Sequence, residues 1–316
     1  MADMIFCIMG AMIGAGFASG REVMQFFSQY GTISWALILS ASALTGIMMY
    51  HAMQQKSIYN SENIPYSILI FLSCLSVGGG MAAAAGNLTA LTIPFHHARS
   101  IGLTASLVFC VFLTVHSLRG MTLLGKILLP AMFLLIILCL RVPKTVSTST
   151  ILTHISGISA FIQMIGYCGM NMIFSSSVLS ETGGMIPHNR RKVVAFLSAA
   201  VFGGLLALSN QALLPHAEEM GAASLPTVFL MKAYGKIGFY YSAIVLYLAV
   251  ITTLIAVLRG MNTVLKPFTP YSALFSGMLV AAASLIGFQE IVKTAYPALG
   301  WAYLFWLGLN YFKKAD

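Results

Sequence analysis

Charge is what this sequence has least of. Asp, Glu, Lys and Arg make up 8% of its 316 residues, against 59% hydrophobic residues and a mean hydropathy of +0.88. A soluble domain carries about 25% charged residues, so this chain would leave apolar surface in water whatever shape it took. A water-soluble fold is excluded, and the composition predicts an all-α polytopic membrane protein. At about 20 apolar residues per helical span, the length accommodates roughly ten or eleven spans and no separate catalytic domain. Acidic residues are the rarest, eight against 17 basic, for a net charge of +9. The basic residues are scattered singly between apolar stretches, so they read as topology signals and not as a nucleic-acid surface.

Other absences narrow the function. The five cysteines, Cys7, Cys74, Cys110, Cys139 and Cys168, fall inside apolar stretches, leaving no loop thiols for a disulfide framework. No basic residue precedes Arg21 and no small-residue cleavage pattern follows the first apolar run, so a signal peptide is not expected and the first span stays. No histidine stands at helical i, i+4 spacing from another ligand type, which argues against zinc. There is no nucleophile elbow, phosphate loop or pair of carboxylates. An enzyme is therefore not expected, nor a cofactor beyond a possible Na+.

What is present is a series of apolar stretches divided by Gly, Pro and polar punctuation. Ten spans are predicted, at 3–28, 34–54, 66–92, 100–118, 121–141, 154–181, 190–213, 236–260, 271–288 and 294–312. The stretch 214–234 is too polar, and too interrupted by Pro215, Gly221 and Pro226, to cross; it reads as a re-entrant or surface element. With both termini cytoplasmic, ten of the 17 basic residues fall inside, among them the cluster Arg190-Arg191-Lys192 in one short loop. That orientation is the expectation, with the cell membrane as location.

The first and sixth spans share a defect. Gly10, Gly14, Gly16 and Gly20 put four glycines in eleven residues of span one, and span six reads Ile165-Gly166-Tyr167-Cys168-Gly169-Met170-Asn171. For either span alone, close helix packing explains the glycines as well as unwinding does. The two clusters, however, lie about 150 residues apart, each in the first span of a five-span half. Matched interruptions in two halves point to an inverted-repeat transporter with its site at the bilayer midplane, and freed backbone at that depth must be satisfied by protein or ligand. The expectation is two repeats, 1–145 and 146–316, with spans one and six unwound at Gly14 to Gly20 and Gly166 to Asn171. The solute then lies between the breaks, against the Gly14, Ala15 and Gly16 backbone and the Tyr167 and Asn171 side chains, with Phe17 capping it.

The run Ile13-Gly14-Ala15-Gly16-Phe17-Ala18-Ser19-Gly20-Arg21-Glu22, followed by Gln25-Phe26-Phe27 and Tyr30-Gly31, resembles the opening span of the YkvI-type membrane proteins. Those belong to the amino acid-polyamine-organocation superfamily, whose members have the LeuT-type fold of five plus five inverted spans. The resemblance implies a discontinuous first and sixth helix. It also implies a sodium ion held by the Gly10 and Ile13 carbonyls, the Ala249 carbonyl and the Thr252 and Thr253 hydroxyls. A hard cation suits such oxygen ligands, although membrane threonines also commonly bond back to carbonyls one turn earlier. No Lys or Arg lies between Lys236 and Arg259 to replace the ion, which favours sodium over a built-in cation.

Arg21 and Glu22 stand where the second half of span one begins and read equally as a gate or proton carrier and as a wetted pair at the outer mouth. Glu290, just before span ten, is the nearest acid to Arg21's expected partner position. Glu181 reads as a structural residue at the cytoplasmic face, and Asn87 as the polar member of a smooth, glycine-rich packing face. The functional expectation is a secondary transporter of a small, amino-acid-like solute, coupled to sodium or protons. A membrane receptor subunit that binds the solute without moving it is the alternative. The lipid bilayer and a small-molecule solute are the expected partners, nucleic acid is not expected, and the sequence leaves the oligomeric state open.

Overall fold

The structure, a computed structural model, describes residues 2–54, 64–114, 119–143, 157–220, 223 and 225–313. Among these it is all helix, with no strand. The chain begins with α1 (Ala2–Met12), α2 (Ala15–Ala18) and α3 (Arg21–Phe26), three pieces of the predicted first span. Four long helices follow: α4 (Ser34–Gln54), α5 (Ile64–Thr92), α6 (Ala98–Thr114) and α7 (Arg119–Leu140). Then come α8 (Gly157–Met185) and α9 (His188–Leu213), and after α9 the short helices α10 (Ala217–Met220) and α11 (Pro226–Met231). The chain closes with α12 (Gly235–Leu265), α13 (Ser272–Ala283), α14 (Phe288–Glu290), a π-helical turn over Ile291–Ala295 and α15 (Tyr296–Lys313).

Every one of the ten predicted intervals contains helix, and 214–234 holds only short helical pieces. Among the described residues five helical stretches are long and apolar enough to cross a membrane, and seven if each sharply bent pair is one span. The chain is a polytopic membrane protein. The expected boundary between the halves, 145/146, lies outside the described residues.

The helices leave large apolar side chains such as Leu39, Ile64, Phe112 and Ile237 on the outside, as a lipid-facing surface requires, and bury their small residues inward. On α5 the inward face is Gly78-Gly79-Gly80-Met81-Ala82-Ala83-Ala84-Ala85-Gly86, all buried, while Asn87 is partly exposed. The small side chains here, and the missing Cβ of the glycines, let α5 lie against α12, α13 and α6. A Cβ on Gly79 would stand 2.8 Å from the Ala283 backbone, and one on Gly86 2.8 Å from the Arg99 carbonyl. Apart from packing along α5 and α12, the chief contacts pair α4 with α9, α8 with α15 and with α4, and α1 with α7.

Span six corrects one expectation. Residues Gly166 to Asn171 are helical, not unwound, and the axis bends later, by 62° between the stretches Gly157–Ile173 and Val178–Met185. The glycines serve a different purpose, which is the packing of α15. A Cβ on Gly300 would lie 1.9 Å from the Gly166 carbonyl oxygen, and one on Gly169 would lie 2.5 Å from the Gly300 carbonyl oxygen. Three glycines thus bring two helix backbones into contact, an arrangement available only where no side chain intervenes.

Gly300→Val should therefore force α8 and α15 apart at a cost of about 3 kcal/mol, the upper end for overpacking. Thermal unfolding of the purified protein in detergent reads this directly. Gly204→Ala, which meets nothing within 4 Å, should leave the transition unchanged or slightly raised; equal loss in both variants would contradict the packing account.

Candidate functional site

The site is built where α1 stops. Gly14 is extended (φ −88°, ψ 178°), and its N–H, which in a continuous helix would bond the Gly10 carbonyl, turns instead to the Met12 carbonyl at 3.1 Å. Helix resumes at Ala15, with the Ala18 amide donating to the Gly14 carbonyl (2.9 Å) and the Ser19 amide to that of Ala15 (2.8 Å). It stops again at Ser19-Gly20, where Gly20 takes φ +76°, a conformation that costs an L side chain free energy but glycine nothing. Residues 7–20 are all buried. The double interruption therefore lies inside the protein, as irregular backbone at membrane depth must.

Two helices face the break from different sides. On one side is α12: a Cβ on Gly14 would meet Thr253 Oγ1 at 3.0 Å, so that the hydroxyl lies against the glycine. Thr253 Oγ1 is buried and without a hydrogen-bond partner among the described residues. Thr252 behaves differently, donating to the Ala249 carbonyl at 2.9 Å, the back-bonding that membrane threonines favour. Of the five expected sodium ligands, the structure thus sets Thr253 beside the break, turns the Gly14 amide away from the Gly10 carbonyl, and engages Thr252 and Ala249 with each other. An orphaned buried hydroxyl next to freed carbonyls fits a hard cation.

On the other side is α8. Tyr167 and Asn171 are fully buried, and the Asn171 Nδ2 donates to the Tyr167 carbonyl (3.0 Å) while Asn171 Oδ1 and the Tyr167 hydroxyl have no partner of good geometry among the described residues. Around Tyr167 stand Phe26 (ring centroids 4.9 Å), Phe27 (5.3 Å) and Phe202 of α9 (6.4 Å), and Phe202 in turn packs on Phe17 (5.8 Å). Phe17 therefore closes one wall, and the structure brings Gly14, Ala15, Gly16, Phe17 and Tyr167 into one neighbourhood. Orphaned polar atoms are rare in folded proteins and call for an explanation; three of them here flank one backbone break, whereas Ser198 Oγ on α9 is orphaned elsewhere.

The paired charges part company. Glu22 is 4% exposed, which removes the wetted-pair reading, and its carboxyl folds back onto Gly16. The neighbouring Arg21 guanidinium donates to the Ala223 carbonyl (3.4 Å), and Glu290 is exposed. Glu181 reaches the Arg259 guanidinium at 3.6 Å, tying the end of α8 to that of α12.

One contributor was invisible in sequence. The Thr227 hydroxyl of α11 donates to the Ala18 carbonyl (2.8 Å) and its amide to the Ser19 carbonyl (2.9 Å), so the segment between α9 and α12 caps the end of α2. Pro226 at the first position of α11 signals only that a helix starts there. A contact across more than 200 residues leaves no local mark.

No family model matches the chain. It is similar over nearly its whole length to two proteins of Bacillus subtilis strain 168. One is the uncharacterized protein YyaD, 23% identical over 320 residues, covering 95% of this chain and 93% of the relative. The other is the uncharacterized membrane protein YkvI, 22% identical over 349 residues, covering 99% and 96%. The likeness to a membrane protein agrees with the helices described above.

Gly16→Ala should cost about 2 kcal/mol, because its Cβ would collide with the Glu22 carboxyl. In a Glu22→Ala background the same change should cost less than about 1 kcal/mol, a coupling readable in a double-mutant cycle of unfolding in detergent. Additive costs would separate the two residues.

Proposed function

We propose that this chain is a secondary transporter of a small, amino-acid-like solute, of the YkvI type, coupled to a cation and working by alternating access in the cell membrane with both termini cytoplasmic. The observation that carries the reading is the buried interruption of span one at Ile13-Gly14, faced by orphaned polar side chains from two other helices. A helix that merely anchors a protein gains nothing from such a break.

The helix contacts support the ten-span, five-plus-five arrangement. If α1–α3 correspond to α8, α4 to α9, α5 to α12, α6 to α13 and α7 to α15, several contacts of one half recur in the other, although α7·α9 and α8·α12 have no counterpart of similar extent. The pair α1·α7 answers to α8·α15, α5·α6 to α12·α13, α4·α8 to α1·α9, and α5·α13 to α6·α12. The self-paired contacts α4·α9, α5·α12 and α1·α8 then lie on the pseudo-two-fold axis that an inverted repeat requires. Span six differs from span one in staying helical, with a 62° bend beyond Ile173.

In this reading the solute lies against Gly14, Ala15 and Gly16, with Tyr167 and Asn171 contributing their free polar atoms and Phe17 closing over it. Sodium is held next to it by the Gly10, Ile13 and Ala249 carbonyls and the Thr252 and Thr253 hydroxyls; the Thr252 bond to Ala249 uses the hydroxyl proton and leaves oxygen lone pairs for the ion. The contacts that would serve as gates are those of Thr227 and Arg21, which fasten α11 and its approach to span one, and the Glu181–Arg259 pair, which joins α8 to α12. Alternating access releases one gate at a time.

The test is uptake of single labelled amino acids into proteoliposomes under a sodium gradient. Sustained accumulation of at least one is expected. Replacing both hydroxyls, Thr252→Val with Thr253→Val, should weaken the sodium stimulation at least tenfold, or about 1.4 kcal/mol of coupling. Saturable binding without accumulation would favour the receptor reading. Uptake driven by a pH gradient and indifferent to sodium, with the double valine variant unaltered, would remove the ion site.

A further inference from the structure

The transport reading leaves one group at the break without a role. Glu22 sits in the first turn of α3, and its side chain runs back six residues to the interruption, where an ideal Cβ on Gly16 would stand 2.0 Å from Oε1 and 2.6 Å from Cδ. A carboxyl group therefore already occupies the space beside the Gly16 backbone in which the solute is placed. The groups facing it are hydroxyls. Tyr167 of α8 and Tyr296 at the start of α15 are fully buried and lie within electrostatic reach of the carboxyl.

Among the described residues Glu22 makes no salt bridge. Its neighbour Arg21 points its guanidinium at the Ala223 carbonyl. Buried carboxyls are ordinarily paired with a cation, because an isolated charge is costly to desolvate. This one lies instead against a glycine face, with the Tyr167 hydroxyl nearby though not in good hydrogen-bond geometry. Such a setting is what a protein offers to a carboxyl group as a ligand: a hydroxyl nearby, no competing cation, and backbone that can be approached closely.

We propose that the Glu22 carboxyl is a tethered occupant of the solute position. It fills the space against Gly16 that a carboxyl group of the solute takes on binding, and the solute enters by displacing it. The inference rests on the placement of the solute in the transport reading and adds to it a self-inhibiting contact. Because the occupant is part of the chain, it competes at an effective concentration that a free ligand does not match. Binding therefore requires the Glu22 side chain to leave, by a change of rotamer or by a swing of α3. The swing has a pivot in the Ser19-Gly20 turn between α2 and α3, where Gly20 has positive φ and the Thr227 hydrogen bonds hold the turn closed.

The experiment removes the tether and returns its head group as a free molecule. Propionate is the Glu22 side chain cut loose from the backbone, and n-propylammonium and propanol are its cationic and neutral counterparts. Melting temperatures of the purified full chain in detergent are compared for wild type and Glu22→Ala with each of the three in turn. Propionate is expected to raise the melting temperature of Glu22→Ala by about 3 °C or more, to raise wild type by less than a third of that, and to exceed both counterparts.

The proposal is overturned if propylammonium stabilises Glu22→Ala as much as propionate does, since the space then takes a cation. It is equally overturned if propionate stabilises wild type as strongly, which places its site elsewhere, or if none of the three stabilises the folded variant. Should Glu22→Ala fail to unfold cooperatively, Glu22→Ser, which vacates the space while keeping a hydroxyl for Tyr167, carries the same expectations. The readout needs no turnover. A positive propionate result with no amino-acid uptake would remove the transport reading and keep the site, and the reverse combination would remove the tethered occupant alone.

Discussion

A helix interrupted at membrane depth exposes backbone groups that hydrocarbon cannot hydrogen-bond, and each one left unsatisfied is costly. In this protein that constraint falls on Ile13-Gly14, where the Gly14 amide abandons the Gly10 carbonyl. Much of the surrounding architecture answers it. The break is enclosed so that residues 7–20 are all buried; α12 offers Thr253 on one flank, α8 offers Tyr167 and Asn171 on the other, and α11 caps the carbonyls at the end of α2. The small residues of α5 matter for the same reason, because a smooth face lets α12 come close, and α12 in turn reaches the break.

The arrangement is left incompletely satisfied, and that is where function enters. Thr253 Oγ1, the Tyr167 hydroxyl and Asn171 Oδ1 are buried polar atoms without a partner of good geometry among the described residues, gathered on three turns of two helices around one interruption. Ser28, Asn210 and Ser34 show what the same fold does with polar groups that serve structure alone. There the Ser28 hydroxyl bonds Asn210 Oδ1 and Asn210 Nδ2 bonds the Ser34 hydroxyl, each at 2.9 Å, and the network closes on itself. The contrast between a closed network and an open one within a single helix bundle favours a ligand at the break over imperfect packing.

The sequence made the membrane class and the placement of the helices legible, because both depend on apolar length and on local punctuation. The interruption of span one was marked only in part: four glycines in eleven residues suit unwinding and packing equally, and the matching break at Gly166 to Asn171 that tipped the balance did not hold, those residues being helical. The same reasoning misread Gly166 and Gly169. A glycine that lets a backbone unwind and one that lets a neighbouring helix approach look identical in sequence; only the position of Gly300, more than 130 residues downstream, decides for packing. Thr227 and the reach of Glu22 back to Gly16 were hidden for a related reason. One is a contact between distant segments, and the other depends on the direction the chain takes after Gly20, which a positive φ sets and a residue pattern does not.

The central claim is that the span-one break is the point reached alternately from the two faces of the membrane. The direct measurement is the labelling of a single cysteine at Ala15→Cys by a membrane-impermeant maleimide, with the five native cysteines, all buried, replaced beforehand. Right-side-out and inside-out vesicles are compared with and without a sodium gradient. The account predicts labelling from both faces, with the gradient shifting reactivity from one face to the other. Labelling from one face only under every condition, or from neither, would contradict it.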